Sequence, residues 1–253
     1  MKFRGKVAIV TGAASGIGMA IAEAMSREGA SLVISDINKE GLEKVAKEIS
    51  KSGGRVLPVK TDISKEDEVE QMVESSIVQY GRVDILVNNA AFLGSSYHQK
   101  PFADTQVAEW RAEIDVTLIG TLLCCKAVTS HMLKQKSGRI ISVSSDAGKM
   151  GIPQMAIYSS CKAALAGFSR ALAQELAADG ITVNCISPGP IETPTVTAIL
   201  KRTPGQKEAW LANVPVCRLG KPDEIASMVV FLASDEAAWI TGQDYSVDGG
   251  SRM

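Results

Sequence analysis

Tyr158 and Lys162 stand four positions apart in the stretch IYSSCKAALAGFSRALAQEL (157–176), whose apolar residues recur at helical spacing. On a helix, residues i and i+4 are neighbours with Cβ atoms about 5–6 Å apart, so a phenol and an ammonium share one small volume. That pairing has a chemical use. Oxidising an alcohol takes a hydride from carbon and a proton from oxygen, and a tyrosine of ordinary pKa, about 10, is a poor base near neutrality. A neighbouring cation favours the phenolate and lowers that pKa. The spacing alone equally permits a surface lysine beside a core tyrosine, so the pair acquires meaning only from what surrounds it.

A second group of residues points to a ligand. TGAASGIG (11–18) places Gly12, Gly16 and Gly18, with Ser15 and Ile17 between them, directly after an apolar run and before a helical pattern. Glycines there let the backbone turn sharply and approach a pyrophosphate, while a helix N-terminus offers free N–H groups and partial positive charge. Met19 stands where a Walker loop would need lysine. Asp36 ends the second apolar run, 20 residues after Gly16, the separation expected of an acid that binds adenosine ribose hydroxyls. A carboxylate there repels a 2′-phosphate, and Ile37 supplies no attraction, so NAD is expected over NADP. A turn or cap role for Asp36 remains open. Asp62 with Ile63, and Asn88 with Asn89, fall at the ends of the next two runs, where open sheets bind ligands; Asp62 alternatively caps a helix beginning near Lys65.

These residues need a scaffold. The runs VAIVT, SLVISD, RVLPVK, DILVNN, RIISVSS, ITVNCIS and DYSVDG alternate with segments such as EDEVEQMVESSIVQYG that carry apolar residues every three or four positions. Near-continuous apolar strands separated by helices imply a parallel sheet covered on both faces, doubly wound through right-handed crossovers. We therefore expect one α/β domain over 1–253 with about seven strands. The 188–221 segment, with Pro188, Pro190, Pro194, Pro204 and Pro215, reads as irregular, and 190–218 as a substrate lid.

Composition narrows the function. Content of 45% hydrophobic and 22% charged residues, with a net charge of −1 and no dense basic block, suits a soluble enzyme and recommends neither nucleic acid nor membrane as partner. The N-terminal apolar run is too short for a signal peptide or spanning helix, which implies the cytoplasm. Five cysteines lack zinc spacing and read as small buried side chains, and no metal is expected. His98 and His131 read as surface residues.

TGAASGIG, NNAA, Ser145 thirteen residues before Tyr158, YSSCK, PGPIET and ITGQDYSVDGG together resemble the short-chain dehydrogenase/reductase family over essentially the whole chain. The resemblance implies a single Rossmann domain, hydride exchange between NAD(H) and a secondary alcohol or ketone, and a homotetramer. It implies that Ser145, Tyr158 and Lys162 are catalytic, that Lys162 also binds the nicotinamide ribose, and that Pro188, Gly189, Ile191 and Thr193 flank the nicotinamide. Thr117 stands where relatives usually carry an asparagine whose helix is distorted to free a main-chain carbonyl for a proton relay; the threonine hydroxyl is expected to bond a carbonyl one turn back and bend the helix similarly. Phe92, Leu93, Asp146, Met150, Met155, Trp210 and Leu211 occupy variable wall positions, a mostly apolar set that leans towards a hydrophobic or cyclic alcohol. Lys201, Arg202 and Lys207 suit either an acidic substrate group, such as a coenzyme A phosphate, or a solvated lid surface. Two alternatives stay open: a 3-oxoacyl-thioester reductase, and a non-catalytic NAD-sensing scaffold.

Overall fold

The β-branched runs become the seven strands of one sheet in the computed structural model, which describes residues 1–93 and 100–251. They are β1 (Val7–Thr11), β2 (Ser31–Asp36), β3 (Arg55–Lys60), β4 (Ile85–Asn88), β5 (Gly138–Val143), β6 (Ile181–Pro188) and β7 (Asp244–Val247), all parallel in the order β3-β2-β1-β4-β5-β6-β7. The edge strand β3 tolerates Pro58 because an edge can lose a ladder donor. Interior strands are buried on both faces, and successive residues alternate between two cores. Ala8 and Val10 pack towards α1 (Gly16–Arg27), α2 (Lys39–Lys51) and α10 (Pro222–Ala233), whereas Ile9 packs towards α3 (Glu66–Tyr80) and α5 (Gly120–Gln135).

The chain turns back between β1 and β4, and the strand ends on either side of that reversal carry the glycine loop and Asn89. Open α/β sheets bind ligands in this crevice. Around it lie α4 (Val107–Ile114), α6 (Asp146–Met150) and α7 (Ala156–Leu176). Between α4 and α5 the helix widens into a π-helical stretch, Asp115–Ile119, centred on Thr117. Such bulges in a continuous helix commonly mark functional positions.

The 188–221 segment is more regular than its prolines suggest. It contains α8 (Pro194–Arg202) and α9 (Gln206–Leu211). Pro194 occupies the first turn of α8, where a missing N–H costs nothing, and the Thr193 hydroxyl caps that turn by accepting from the Val196 N–H at 3.2 Å.

Candidate active site

The glycine loop is locked from beneath by side chains of the two central strand ends. The Thr11 hydroxyl accepts from the N–H groups of Asn89 (3.1 Å) and Ala90 (3.2 Å), while Asn89 Nδ2 donates to the carbonyls of Thr11 and Gly12, both at 3.0 Å. Asn89 thus shapes the loop; its amide is already committed there. Gly18 is required by close approach, since a Cβ would lie 2.2 Å from the Gly12 carbonyl oxygen. Gly16 adopts φ +56°, and its outer side opens towards Thr193, whose methyl would be 3.5 Å from an added Cβ. Among the described residues no side chain caps the first turn of α1, whose N-cap is Ser15. Its N–H groups therefore remain available to an anion.

Asp36 closes the far end of this groove. Its carboxylate accepts from the N–H groups of Ala14 (3.1 Å) and Asn38 (2.9 Å), tying the glycine loop to the end of β2. Uncapped N–H groups, a glycine-rich loop of otherwise small residues and a fixed carboxylate at the end of β2 together fit a dinucleotide.

The second half of the site hangs on β5 and α7. Beyond Val143, the buried Ser144 donates its hydroxyl to the Lys162 carbonyl at 2.9 Å, fixing the strand end against the helix. Ser145 then caps α6 and accepts from the Ala147 N–H at 3.1 Å. Lys162 Nζ lies 5.6 Å from the centroid of the Tyr158 ring and donates to the Val143 carbonyl at 2.6 Å. The expected neighbourhood is therefore present, but the ionisation differs from expectation. Burial pushes the Tyr158 phenol up to about 12, opposed by its hydrogen bond with Ser145 and reinforced by the negative charge of Glu113. Burial likewise pushes Lys162 down to about 8. Desolvation is the largest influence on both groups. In this state of the protein Tyr158 is a proton donor.

Thr117 also departs from expectation. The π-helical distortion is there without the asparagine, but the threonine hydroxyl does not bond back along its own helix. It accepts from the Phe92 N–H and donates to the Phe92 carbonyl, each at 3.1 Å. The Thr117 carbonyl accepts from the Thr121 hydroxyl at 3.1 Å. Two hydroxyls thus hold the bulge, one to the loop after β4 and one within the helix.

Several other expected residues are placed differently. Asp62 neither caps α3 nor stands free: its carboxylate accepts from the N–H (3.1 Å) and hydroxyl (2.6 Å) of Ser64, which hold its carboxyl below the usual range. Ile63 turns its side chain into the core against Gly120, so only its main chain can face a ligand. Asn88 is buried and donates to Cys125 Sγ and Ser142 Oγ, both at 3.3 Å. Asp146 is not a pocket wall: it is buried and accepts from the Ser251 hydroxyl at 2.9 Å. Phe92 and Met150 are exposed, and Leu93, Met155, Trp210 and Leu211 half-buried, on the loops and short helices that follow β4, β5 and β6. Pro188 ends β6, the Gly189 N–H donates to the Val247 carbonyl at 3.2 Å, and Ile191 is buried. Lys201, Arg202 and Lys207 are exposed. Cys217 is exposed at φ +56°, unlike the four buried cysteines; a loop position lacks the packing that a strand or helix face supplies. His131 is half-buried, and His98 lies outside the described residues.

Sequence reasoning missed Ser144 and Glu113. A serine beside Ser145 gave no sign of reaching α7, and Glu113 reads as an ordinary polar helix residue, yet it has no exposed surface.

Residues 12–252 match the family model described as Enoyl-(Acyl carrier protein) reductase. The chain is 38% identical to a 3-oxoacyl-[acyl-carrier-protein] reductase FabG of Thermotoga maritima, covering 99% of both proteins. It is 39% identical to a cis-4-hydroxycyclohexanecarboxylate dehydrogenase of Sinomonas cyclohexanicum, over 98% of this chain and 97% of that protein. The crystal structure of gox2181 superposes with a TM-score of 0.95 at 36% identity, covering 99% of this chain and 96% of the other.

Proposed function

The chain belongs to the short-chain dehydrogenase/reductase family of nicotinamide-dependent oxidoreductases, and we propose that it transfers a hydride between NAD(H) and a hydrophobic or cyclic secondary alcohol or ketone. The observation that carries the reading is the Ser145, Tyr158 and Lys162 cluster beside the glycine-loop groove, with the Lys162 ammonium 5.6 Å from the phenol ring centroid. Bound in that groove, the nicotinamide supplies or accepts the hydride. The first-turn N–H groups of α1 hold its pyrophosphate, Asp36 its adenosine ribose, and the main chain around Ile191 and the Thr193 side its carboxamide end. Ser145 orients the substrate oxygen and Tyr158 exchanges its proton. Lys162 holds the nicotinamide ribose and, once its positive charge is joined by that of the oxidised ring, favours the phenolate that oxidation requires.

Asp36 supports NAD over NADP. It is anchored by two main-chain N–H groups and cannot swing aside to admit a 2′-phosphate. Residues 190–218, with their short helices α8 and α9, are proposed to close over substrate as a lid. The chain is proposed to be a cytoplasmic homotetramer: Trp239 is fully exposed, and an 18-residue stretch of the 107–135 helical segment has mean hydropathy 1.5 yet is only 39% buried, which suits burial against further copies.

A 3-oxoacyl-thioester reductase is the second reading. It is supported by the relatives named for that activity and by the protonated state of Tyr158, which suits reduction. Initial rates with cyclic and aryl ketones, their alcohols, and 3-oxoacyl thioesters, each with both nicotinamide cofactors, separate the readings. Faster turnover of NAD(H) with the carbocyclic set supports the first; preference for NADPH and thioesters overturns it. No turnover with any combination leaves the scaffold reading.

A further inference from the structure

Ser145 stands at the N-cap of α6, a helix of five residues. So short a helix has no stability of its own, and its seating against its neighbours decides where the Ser145 hydroxyl points. At the middle of α6, a Cβ added to Gly148 would lie 2.7 Å from both the Ala163 nitrogen and the Lys162 carbonyl carbon, so the helix rests directly on the main chain of α7. At its far end, Lys149 Nζ donates to the Asp244 carbonyl and to Ser246 Oγ, both at 2.9 Å, in β7. At its first residue, the buried Asp146 carboxylate accepts from the Ser251 hydroxyl at 2.9 Å.

Ser251 reaches Asp146 because the chain reverses sharply after β7. Gly249 and Gly250 adopt φ +67° and +84°, a region that glycine enters without steric cost. Asp248 Oδ1 accepts from the Gly250 N–H at 3.0 Å, and the Asp248 carbonyl from the Ser251 N–H at 3.4 Å. The turn is also held from outside. The Val216 N–H, beyond α9, donates to the Gly249 carbonyl at 3.2 Å, and Gly189 lies so close that a Cβ there would stand 2.9 Å from the Asp248 Cα. A turn fixed on that side presents the Ser251 hydroxyl to α6 from a firm base.

We propose that Ser251 is a positioning residue for Ser145: its hydroxyl, acting through the Asp146 carboxylate, fixes the first turn of α6 and keeps the Ser145 hydroxyl aimed at the substrate oxygen. This rests on the reading of Ser145 as the group that orients that oxygen. Asp146 adjoins Ser145 and lies within the two hydrogen bonds that define the cap. Ser145 Oγ accepts from the Ala147 N–H at 3.1 Å, and the Ser145 carbonyl from the Gly148 N–H at 2.9 Å. Both bonds span Asp146, so a rotation of its main chain loosens both. With one lone pair of Ser145 Oγ committed to Ala147, the proton and the other lone pair are left for Tyr158 and the substrate. Release of the cap would let the Ser145 side chain sample its other rotamers, and misorientation at the reacting oxygen lowers the rate.

The test compares Ser251→Ala, Ser251→Thr, Asp146→Ala and Ser145→Ala with the parent, and combines Ser251→Ala with each of the last two, every protein checked for an intact thermal transition. Amide hydrogen exchange by NMR reads the Ala147 N–H, which the Ser145 hydroxyl holds. In Ser251→Ala that exchange should speed up about tenfold and kcat, with the carbonyl compound that the parent reduces fastest, should fall about tenfold, the size expected for one hydrogen bond to a charged group. NAD affinity in calorimetry should stay at the parent value, and Ser251→Thr, which keeps the hydroxyl, should restore both readings. Added to Asp146→Ala or to Ser145→Ala, Ser251→Ala should change kcat by less than about twofold, because residues acting through one another are not additive. A Ser251→Ala variant whose kcat or Ala147 exchange stays within about twofold of the parent overturns the proposal, as does an equal fall in kcat with and without Ser145. Near-normal kcat in Ser145→Ala alone would instead overturn the reading of Ser145.

Discussion

Replacing Thr117 by valine keeps the shape of a fully buried side chain and deletes one atom that makes two hydrogen bonds. Both go to the main chain of Phe92, one accepted and one donated, each at 3.1 Å. A typical internal hydrogen bond contributes about 0.5–1.5 kcal/mol, and a buried polar group left unpaired costs about 1–3 kcal/mol. The Phe92 side chain is exposed, so water can reach part of its loop and the lower half of that range applies. We expect Thr117→Val to lose about 2 kcal/mol. At roughly 2–4 °C per kcal/mol for a chain of this size, the melting midpoint falls by about 4–8 °C in differential scanning calorimetry, with a matching loss in urea. Thr117→Ser, which keeps the hydroxyl, should recover most of it. Because Phe92 begins the loop beside the proposed pocket, KM should rise in the valine variant more than kcat falls. A valine variant within about 0.5 kcal/mol of the parent would refute the account of what holds the π-helical bulge.

Thr117→Asn, which installs the residue common in relatives, is expected to change kcat by less than about tenfold, or roughly 1.4 kcal/mol; a hundredfold gain would mean that the parent's proton relay is impaired. Asp36→Ala combined with Ile37→Arg should narrow or reverse the ratio of kcat/KM for NAD over NADP, since it removes repulsion of the 2′-phosphate and adds attraction. Equal use of both cofactors by the parent would refute the ribose assignment. Tyr158→Phe should lower turnover by at least about 10²–10⁴-fold with NAD binding retained in calorimetry. With the phenol at about 12 before cofactor binds, oxidation should rise with pH as Tyr158 ionises and reduction should fall; flat profiles in both directions would count against it. Limited proteolysis should cut first within 190–218, and equal protection with and without NAD and substrate would remove the lid.

Much of the architecture was legible in the residues because strand and helix periodicities are local. Each of the seven apolar runs became a strand within a residue or two of its quoted limits, and the alternation with helices already implied a parallel, doubly wound sheet. The glycine loop was equally plain. What misled were residues whose type suits several local roles. The prolines of 188–221 read as irregular, but Pro194 after Thr193 starts a helix. Asp146 read as a wall residue and is held inside by Ser251, 105 positions away.

The amino-acid sequence by itself determined the fold class, the glycine-rich turn after β1 and the spacing of Ser145, Tyr158 and Lys162, since these depend on periodicity, glycine conformation and helical neighbours a turn apart. The tertiary structure alone decided which hydroxyl bonds which carbonyl at Thr117, that Asn89 shapes the loop, and that Glu113 lies fully buried on α4. Solvation and long-range electrostatics set those outcomes. A tyrosine beside a lysine looks activated when only the pair is considered, but with Lys162 buried and Tyr158 half-buried, desolvation raises the phenol and lowers the ammonium before any cofactor arrives.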